Sequence, residues 1–475
     1  MERRILALIS LVIVLLVVGG GTVHGFYTFG QALEVRGYLR SDMGIRLQDG
    51  HPDVQPDWEE GDLYLFRNTF QLETNLRLTE RLKIHSKYRA FYDAAMDVDS
   101  DLKERIREDQ RSSFIKNSDL REVYADIMPD NWLVRVGKQQ IVWGESDGFR
   151  MADIINPLDF SWQYFFPSWE DIRIPLWAVR TMHYSGPLTT EFVFVPNVID
   201  EGFRTAKFAP AGANWAFAGL DQFLIDAVDA STPDKNLDAA EYGMRLKYVN
   251  PLTGMDVGVF GYYARHKLPT LREDWLGGYI GGDKDVIFAY PYVMSVGGTF
   301  NYQMQTKIPG FQAPVLRGEA VYNFDEPFNS TDMITNPRLF KKDTISYMLG
   351  YDGNFFNRTL NPTKSFYHSG QIFQKYVLDD EVGLAKGLGK DNDFQTLITF
   401  FISTDYMAGR LEPSVFAMYN PSGEWWARPQ LTYKYLQDWQ LGIAYHYIDA
   451  NNLTMPNFGF CTKNDQVVAW IRYSW

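Results

Sequence analysis

The sequence predicts an all-β chain: a transmembrane, antiparallel, up-and-down β-barrel of about 18 strands, with a long loop folded into its lumen. Three observations lead there. Aromatic residues make up 16% of the chain, yet its mean hydropathy is −0.27, so its apolar side chains are spread out rather than massed. Beyond the opening residues no stretch of roughly 18 apolar residues occurs, so no helix is expected to cross a bilayer. Apolar and polar residues also alternate one for one over long runs, the period of a strand with two unlike faces.

The chain opens MERRILALISLVIVLLVVGGG, with Arg3 and Arg4 as a basic start and Ile5 to Val18 as an apolar stretch too short to stay in a membrane. Residues 1–25 are therefore expected to be a Sec-type signal peptide, cleaved before Phe26. Residues 26–475 read as one barrel domain, with no low-complexity linker and no repeat beyond hairpins.

The stretch from Leu63 carries the clearest alternation. Tyr64, Phe66, Phe70, Leu72, Leu76 and Leu78 share one face, and Arg67, Thr69, Gln71, Glu73, Asn75 and Arg77 the other. A wall with lipid outside and water inside demands that pattern. Followed along the chain, it places strands at 33–47, 62–78, 82–95, 119–128, 132–140, 173–185, 188–197, 238–249, 254–265, 290–307, 312–324, 341–354, 364–377, 392–404, 409–420, 424–436, 438–449 and 464–475. Short connectors at 79–81, 129–131, 185–187, 250–254 and 436–438 alternate with long ones, as when turns gather at one end of a barrel and loops at the other. The thirteenth segment, SFYHSGQIFQKYV, is weak alone and could be helical. Termini on the same side of the membrane require an even strand number, which retains it and leaves about 16 as the nearest alternative count. A barrel of this size encloses an aqueous lumen.

The last residues, QVVAWIRYSW, alternate again up to Trp475. This ending resembles the closing strand of bacterial outer-membrane barrels, where it serves as the signal read by the barrel assembly machinery. With 46 Lys and Arg against 59 Asp and Glu, the formal charge is −13, which argues against nucleic-acid binding. Cys461 is the single cysteine, so there is no disulfide framework, no CxxC and no haem-attachment motif.

The run LREVYADIMPDNWLVRVGKQQIVWGESDGFRMADIINPLDFSWQYFFPSWEDIRIPLW, with the later LNPTKSFYHSGQIF, resembles blocks carried by a large, mostly uncharacterised family of Gram-negative outer-membrane barrel proteins. Those blocks have the form LREAY, LRxGKQxxxWGE, NPxD and RIP. The resemblance implies a porin-like barrel in the outer membrane and says little about its cargo.

Residues 141–172 join the fifth and sixth strands and are far longer than a turn. In general porins the loop at this ordinal position narrows the lumen, a fold-level analogy. Glu145, Asp147, Arg150, Asp153, Asp171 and Arg173 are the candidate constriction residues, with Gly144 and Gly148 allowing the chain to turn inward and FRMADIIN able to form a helical turn or two. Candidate wall cations on polar strand faces are Arg67, Arg77, Arg135, Arg180, Arg245 and Arg317. An acidic loop against a basic wall would set a transverse field across an eyelet. Two other readings stay open: static bracing of the loop by ion pairs, and acid/base catalysis by Glu145 and Asp147, for which no Ser–His partner or apolar pocket is evident.

Asp97, Asp99, Asp101 and Glu108 have the spacing of a calcium loop, but Leu102 stands where the sharp turn wants glycine, so no metal site is assigned. The aromatics Phe160, Trp162, Tyr164, Phe165, Phe166 and Trp169 read first as packing for the long loop and second as a contact surface for hydrophobic or aromatic solutes. The expected function is therefore passive or substrate-selective diffusion of a small-molecule solute across the outer membrane, with no cofactor and no covalent chemistry. Lipid bilayer, lipopolysaccharide and the assembly machinery acting on Trp475 are the expected partners, and a homo-oligomer is compatible with the sequence. The alternatives are a barrel scaffold for a periplasmic or redox partner, or an outer-membrane enzyme acting on lipid or polymer.

Overall fold

The computed structural model describes residues 26–28, 32–53, 55, 57–147, 149–163, 168–200, 202–217, 221–304, 311–379, 381–385, 394–451 and 459–475. Expectations for residues 1–25, Gly148, Tyr164, Phe165 and Phe166 lie outside them. The barrel strands, in chain order, are β1 (Leu33–Arg46), β2 (Leu63–Thr79), β3 (Leu82–Asp93), β4 (Lys116–Ile127), β5 (Trp132–Gln139), β6 (Leu176–Ser185), β7 (Leu188–Val195), β8 (Glu241–Val249) and β9 (Asp256–Arg265). They continue as β10 (Tyr292–Gln303), β11 (Phe311–Asn329), β12 (Leu339–Phe355), β13 (Phe366–Val377), β14 (Phe394–Ser403), β15 (Leu411–Asn420), β16 (Glu424–Tyr435), β17 (Trp439–Ala450) and β18 (Gln466–Ser474).

Each strand pairs antiparallel with its sequence neighbours, and β1 closes the ring on β18 with Tyr38 opposite Ser474 and Arg46 opposite Gln466. The sheet counts 19 strands because Phe26–Thr28 adds a short antiparallel piece on the first residues of β1. The segment that was weak as a sequence is a full strand, paired over its length with β12 and β14. Among the described residues closure pairs each strand on both sides, the condition for crossing hydrocarbon.

The alternation is borne out in space. Outward residues such as Val259, Leu349, Ile443, Phe400 and Phe192 form an exposed apolar surface. Aromatic pairs mark its margins: Tyr263 stacks on Tyr292 at 4.6 Å and Trp439 lies 4.9 Å from Tyr473. At the seam, Trp475 exchanges two 3.1 Å backbone hydrogen bonds with Gly37, and its ring stacks on Phe70.

One end of the barrel carries tight turns; the other carries long connections that fold back. The connection after β3 is a chain of short helices, Ala95–Val98, Ser100–Arg105 and Glu108–Ile115. Asp99 there caps the second helix by accepting from the Asp101 and Leu102 N–H groups, so this acid serves as local structure. Within the connection after β5, the run FRMADIIN is irregular rather than helical. The Ala152 N–H is taken by Glu319 on the wall rather than by an i−4 carbonyl.

The lumen is not uniformly polar. Inward residues of β12 to β18, among them Met348, Phe373, Leu397, Met418, Trp426 and Ile448, form one buried apolar cluster. It packs against Ala209, Ala213 and Trp215 from the connection between β7 and β8, which also enters the barrel. Asn214 is fixed there by Arg46 at 2.7 Å and by Gln55, whose amide donates to its carbonyl at 2.6 Å.

Candidate functional site

The long loop leaves β5 through a neck that its own backbone closes. Ile141 donates to the Asn156 side chain at 2.8 Å, and Asn156 donates in turn to the Ile174 carbonyl at 2.8 Å. Trp143, fully buried, wedges against Phe260 and Tyr262 and donates to Glu191 at 3.0 Å. Gly144 is needed because the chain doubles back on itself: a Cβ there would lie 2.8 Å from the Asp153 nitrogen.

From that point the tip crosses to the opposite wall. The Glu319 carboxylate on β11 accepts from three backbone N–H groups, those of Glu145, Ser146 at 2.7 Å and Ala152 at 2.8 Å. Arg317, two residues along the same strand, donates to the Glu145 carbonyl at 2.6 Å and forms ion pairs with Asp147 and, at 2.6 Å, with Asp352. Gln371 on β13 exchanges hydrogen bonds with the backbone and side chain of Asp147. The Glu145 carboxylate points the other way, 3.6 Å from Arg245 and 4.0 Å from Lys247 on β8.

The returning limb is held on a third part of the wall. Asp153 sits inside the loop, 4% exposed, between Arg173 at 2.6 Å and Arg150 at 3.1 Å. Trp169 donates to the Asp147 carbonyl at 2.7 Å and opens a single helical turn, Trp169–Ile172. Within it Glu170 pairs with Lys87, which also meets Glu122 at 3.1 Å, and Asp171 pairs with Arg89. Burial alone would push the Asp171 carboxyl up, but Arg89, Arg40 and Arg121 outweigh it and hold it below the usual carboxylate value.

The six candidate loop residues thus fall into three groups. Glu145 and Asp147 meet wall cations at the tip, Arg150, Asp153 and Arg173 form a buried triad within the loop, and Asp171 meets the wall at β3. Of the candidate wall residues, Arg245 and Arg317 reach the loop tip, and Arg67 is sandwiched between Phe91 and Trp162, 3.5 Å from Asp93. Arg180 pairs with Glu191 at 2.7 Å, which also holds Trp143, while Arg135 is held by Asp126 at 2.7 Å and Arg77 is exposed near the turn end of β2.

Between the returning limb, β1 to β4 and residues 206–210 and 225–229 lies a cavity of about 390 Å³. Arg40, Arg67, Arg89, Arg121, Asp171 and Trp162 are among its lining residues. Sequence reading missed Glu319, Asp352 and Gln371 as the wall's grip on the loop. Inward alternation with Arg317 was the available signal for Glu319. Among the described residues no cluster of His, Cys, Asp and Glu is arranged to hold a metal ion.

A family model described as "Protein of unknown function (DUF1302)" matches residues 55–474. No curated protein matches the sequence. Among solved structures, OccAB3 of Acinetobacter baumannii is similar at 10% identity with a TM-score of 0.53, covering 93% of this chain and 99% of that one. OccK9 (OpdG) of Pseudomonas aeruginosa is similar at 9% identity with a TM-score of 0.54, over 95% and 99% of the two chains. OccK2 (OpdF) of the same organism, solved in complex with glucuronate, is similar at 9% identity and 0.51, over 95% and 99%. Identities this low speak to the fold: a closed antiparallel barrel matching outer-membrane porin structures.

Proposed function

The chain belongs to the DUF1302 family of proteins of unknown function, and from the geometry of its lumen we propose that it is a porin-like outer-membrane channel whose loop 141–172 sets the constriction. Small solutes diffuse through it, passively or with selection, between the long-loop side, taken as extracellular, and the short-turn side, taken as periplasmic. The observation that carries this reading is the loop tip held across the lumen, with Asp147 on Arg317 and Glu145 facing Arg245 and Lys247. Charges of opposite sign on facing surfaces of a water-filled passage act on ions and dipoles inside it. Glu145 and Asp147 are assigned no chemistry, because each already faces a cation.

The reading carries three further proposals. Residues 1–25 act as an export signal, Trp475 is the residue offered to the barrel assembly machinery, and the exposed apolar band faces lipid and lipopolysaccharide. The test is planar-bilayer recording of the purified barrel, wild type against Glu145→Gln/Asp147→Asn. Open pores are expected in both, with cation preference lower in the double variant. A wild-type barrel that never conducts overturns the channel reading; unchanged selectivity overturns the role given to the loop.

A further inference from the structure

The cavity of about 390 Å³ beside the returning limb has the size of a small-molecule site, and its walls do not cancel their own charge. Most of its acids are engaged. Asp42 meets Arg40 at 2.6 Å, Asp171 meets Arg89, Asp119 meets Lys138 at 3.0 Å and Asp226 meets Lys284 at 2.6 Å. Asp229 has a partner as well. Asp159 accepts the Ser161 N–H and hydroxyl on one oxygen, and among the described residues no cation stands within ion-pair distance of it.

Three lining cations are left over. Arg121 on β4 gives one nitrogen to the Glu170 and Arg173 carbonyls, at 3.3 and 2.7 Å. It meets no carboxylate among the described residues, and its Nε has no acceptor. Lys207, in the connection between β7 and β8, lines the cavity too, and no described acceptor meets its ammonium. Arg67 on β2 is the third. It is 4% exposed, and the ring centres of Phe91 and Trp162 lie 4.0 and 4.5 Å from its guanidinium carbon. Asp93, opposite it on β3, stands 3.5 Å from Nε, which still lacks a hydrogen-bonded acceptor. One Asp93 oxygen is already taken by the Phe66 and Ala95 N–H groups, at 2.9 and 3.2 Å. No described acceptor meets the two Nη nitrogens of Arg67 either. Covered by two rings, this guanidinium has its N–H edge left to offer the cavity it lines.

A buried guanidinium whose donors lack acceptors is costly, and native structures seldom leave one so. Water satisfies the nitrogens but leaves three cations set against Asp159 alone; an anion answers both. The cavity supplies room for it and an apolar side as well. Phe91, Phe114 and Phe208 line it, and each is only half-buried.

We propose that this cavity binds the carboxylate of a small organic acid with a flat apolar body. The Arg67 edge receives the carboxylate in bidentate fashion, Arg121 and Lys207 supply further positive charge, and the three phenylalanines bound the body. The inference deepens the channel reading and rests on it for the route by which solute arrives.

Calorimetric titration of the purified barrel tests this, with benzoate as probe, benzamide as an uncharged counterpart of similar shape and chloride as the bare anion. Benzoate is expected to bind saturably, and benzamide at least about tenfold more weakly. Arg67→Gln is expected to weaken benzoate by about tenfold or more, and Arg67→Lys by less, because lysine keeps the charge without the fork. Lys207→Gln, outside the barrel ladder, is expected to weaken it by about two- to fivefold. Arg36→Gln, at the turn end of β1, should bind as wild type. If Arg67→Gln fails to fold, as judged by heat-modifiable migration in gels, Arg67→Lys and Lys207→Gln carry the test. Equal benzoate affinity in wild type, Arg67→Lys and Lys207→Gln overturns the site, and so does benzamide binding as tightly as benzoate. Chloride displacing benzoate at equal concentration overturns the assignment to an organic acid. Bilayer recording on the same preparation separates the two readings: a barrel that conducts but does not bind benzoate sinks this inference alone, and one that binds benzoate but never conducts sinks the channel alone.

Discussion

Glu319→Gln isolates the grip of the wall on the loop, because it keeps side-chain shape and removes charge. The native carboxylate is 3% exposed and accepts from the N–H groups of Glu145, Ser146 and Ala152. One of its oxygens serves Glu145 and Ser146, the other Ala152. In the amide, the remaining oxygen still accepts two bonds, now without charge assistance. The NH₂ group turns a donor toward the third N–H, so that bond is lost and a buried donor is left unmet. A lost charge-assisted bond with its stranded partner is worth about 2–4 kcal/mol, which raises loop opening by about 30-fold to several hundred-fold. The barrel ladder is not at stake, since Glu319 pairs with Thr299 and Met348 through backbone alone. Amide hydrogen exchange in detergent reads the outcome directly. Protection should fall at residues 145, 146 and 152 and hold in β10 to β12. Unchanged protection at the tip, or an even loss across the barrel, would refute the reasoning.

Three other outcomes follow from close approaches and charge. Gly144→Ala puts a methyl group 2.8 Å from the Asp153 nitrogen and 2.9 Å from its Cβ. The loop should loosen by about 1–3 kcal/mol, seen as faster proteolysis within 141–172 while barrel heat resistance is kept. Gly442→Ala places its Cβ 1.9 Å from the Trp470 ring across the β17–β18 pair, so the temperature at which the folded gel band disappears should drop; an unchanged temperature counts against the packing described. For Asp171 the sign is that of a depressed carboxyl: its contribution is present above the ordinary aspartate value of 3.8 and is lost only as pH falls below it. Exchange protection around 169–172 should therefore be the same at about pH 7 and about pH 5 and fall at more acid pH, and Asp171→Asn should abolish that step.

How far the sequence spoke is clearest at β13. Its inward face, with Ser369, Gln371, Phe373 and Lys375, reads as a lumen face, but its outward face carries His368, Gly370 and Gln374 where lipid wants apolar residues. Neighbours make up the difference: the Tyr351 and Phe355 rings lie beside His368, and Tyr347 hydrogen-bonds Gln374. Period-two patterning cannot register a cross-strand cover, so in the sequence this strand is supported by parity alone. The loop's destination was legible in its ordinal position and acids, whereas its division into tip, internal triad and anchored return was not. Arg150, Asp153 and Arg173 look like neighbours of Glu145 in composition, and only the chain reversal at Gly144 sets them apart. The entry of residues around 206–217 into the lumen left no sequence signal, because its anchors, Arg46, Gln55 and Asn464, are far away in the chain and individually ordinary.

The two inward segments share a logic set by the wall they meet. Inward side chains of β8 to β11 include Arg245, Lys247, Arg317 and Glu319, while those of β12 to β18 set an apolar cluster, with Met348, Phe373, Leu397 and Met418, among polar neighbours such as Asp352 and Gln371. The long loop answers each in turn. Its backbone amides and Asp147 take the charged strip at β11, Phe149 meets Phe373 ring edge to face at 6.0 Å, and Met151 joins the apolar cluster. A loop held by ion pairs alone would soften with salt, since screening weakens exposed pairs over a Debye length of about 8–10 Å. Packing on Phe373 and the buried Glu319 bonds are far less exposed to screening. The loop should therefore keep its place at high salt while the field across the passage collapses, so selectivity and loop order respond to ionic strength independently. Under the proposed channel reading, a solute with one charged and one apolar end meets a matching surface for each as it passes, and a solute with only one of them does not.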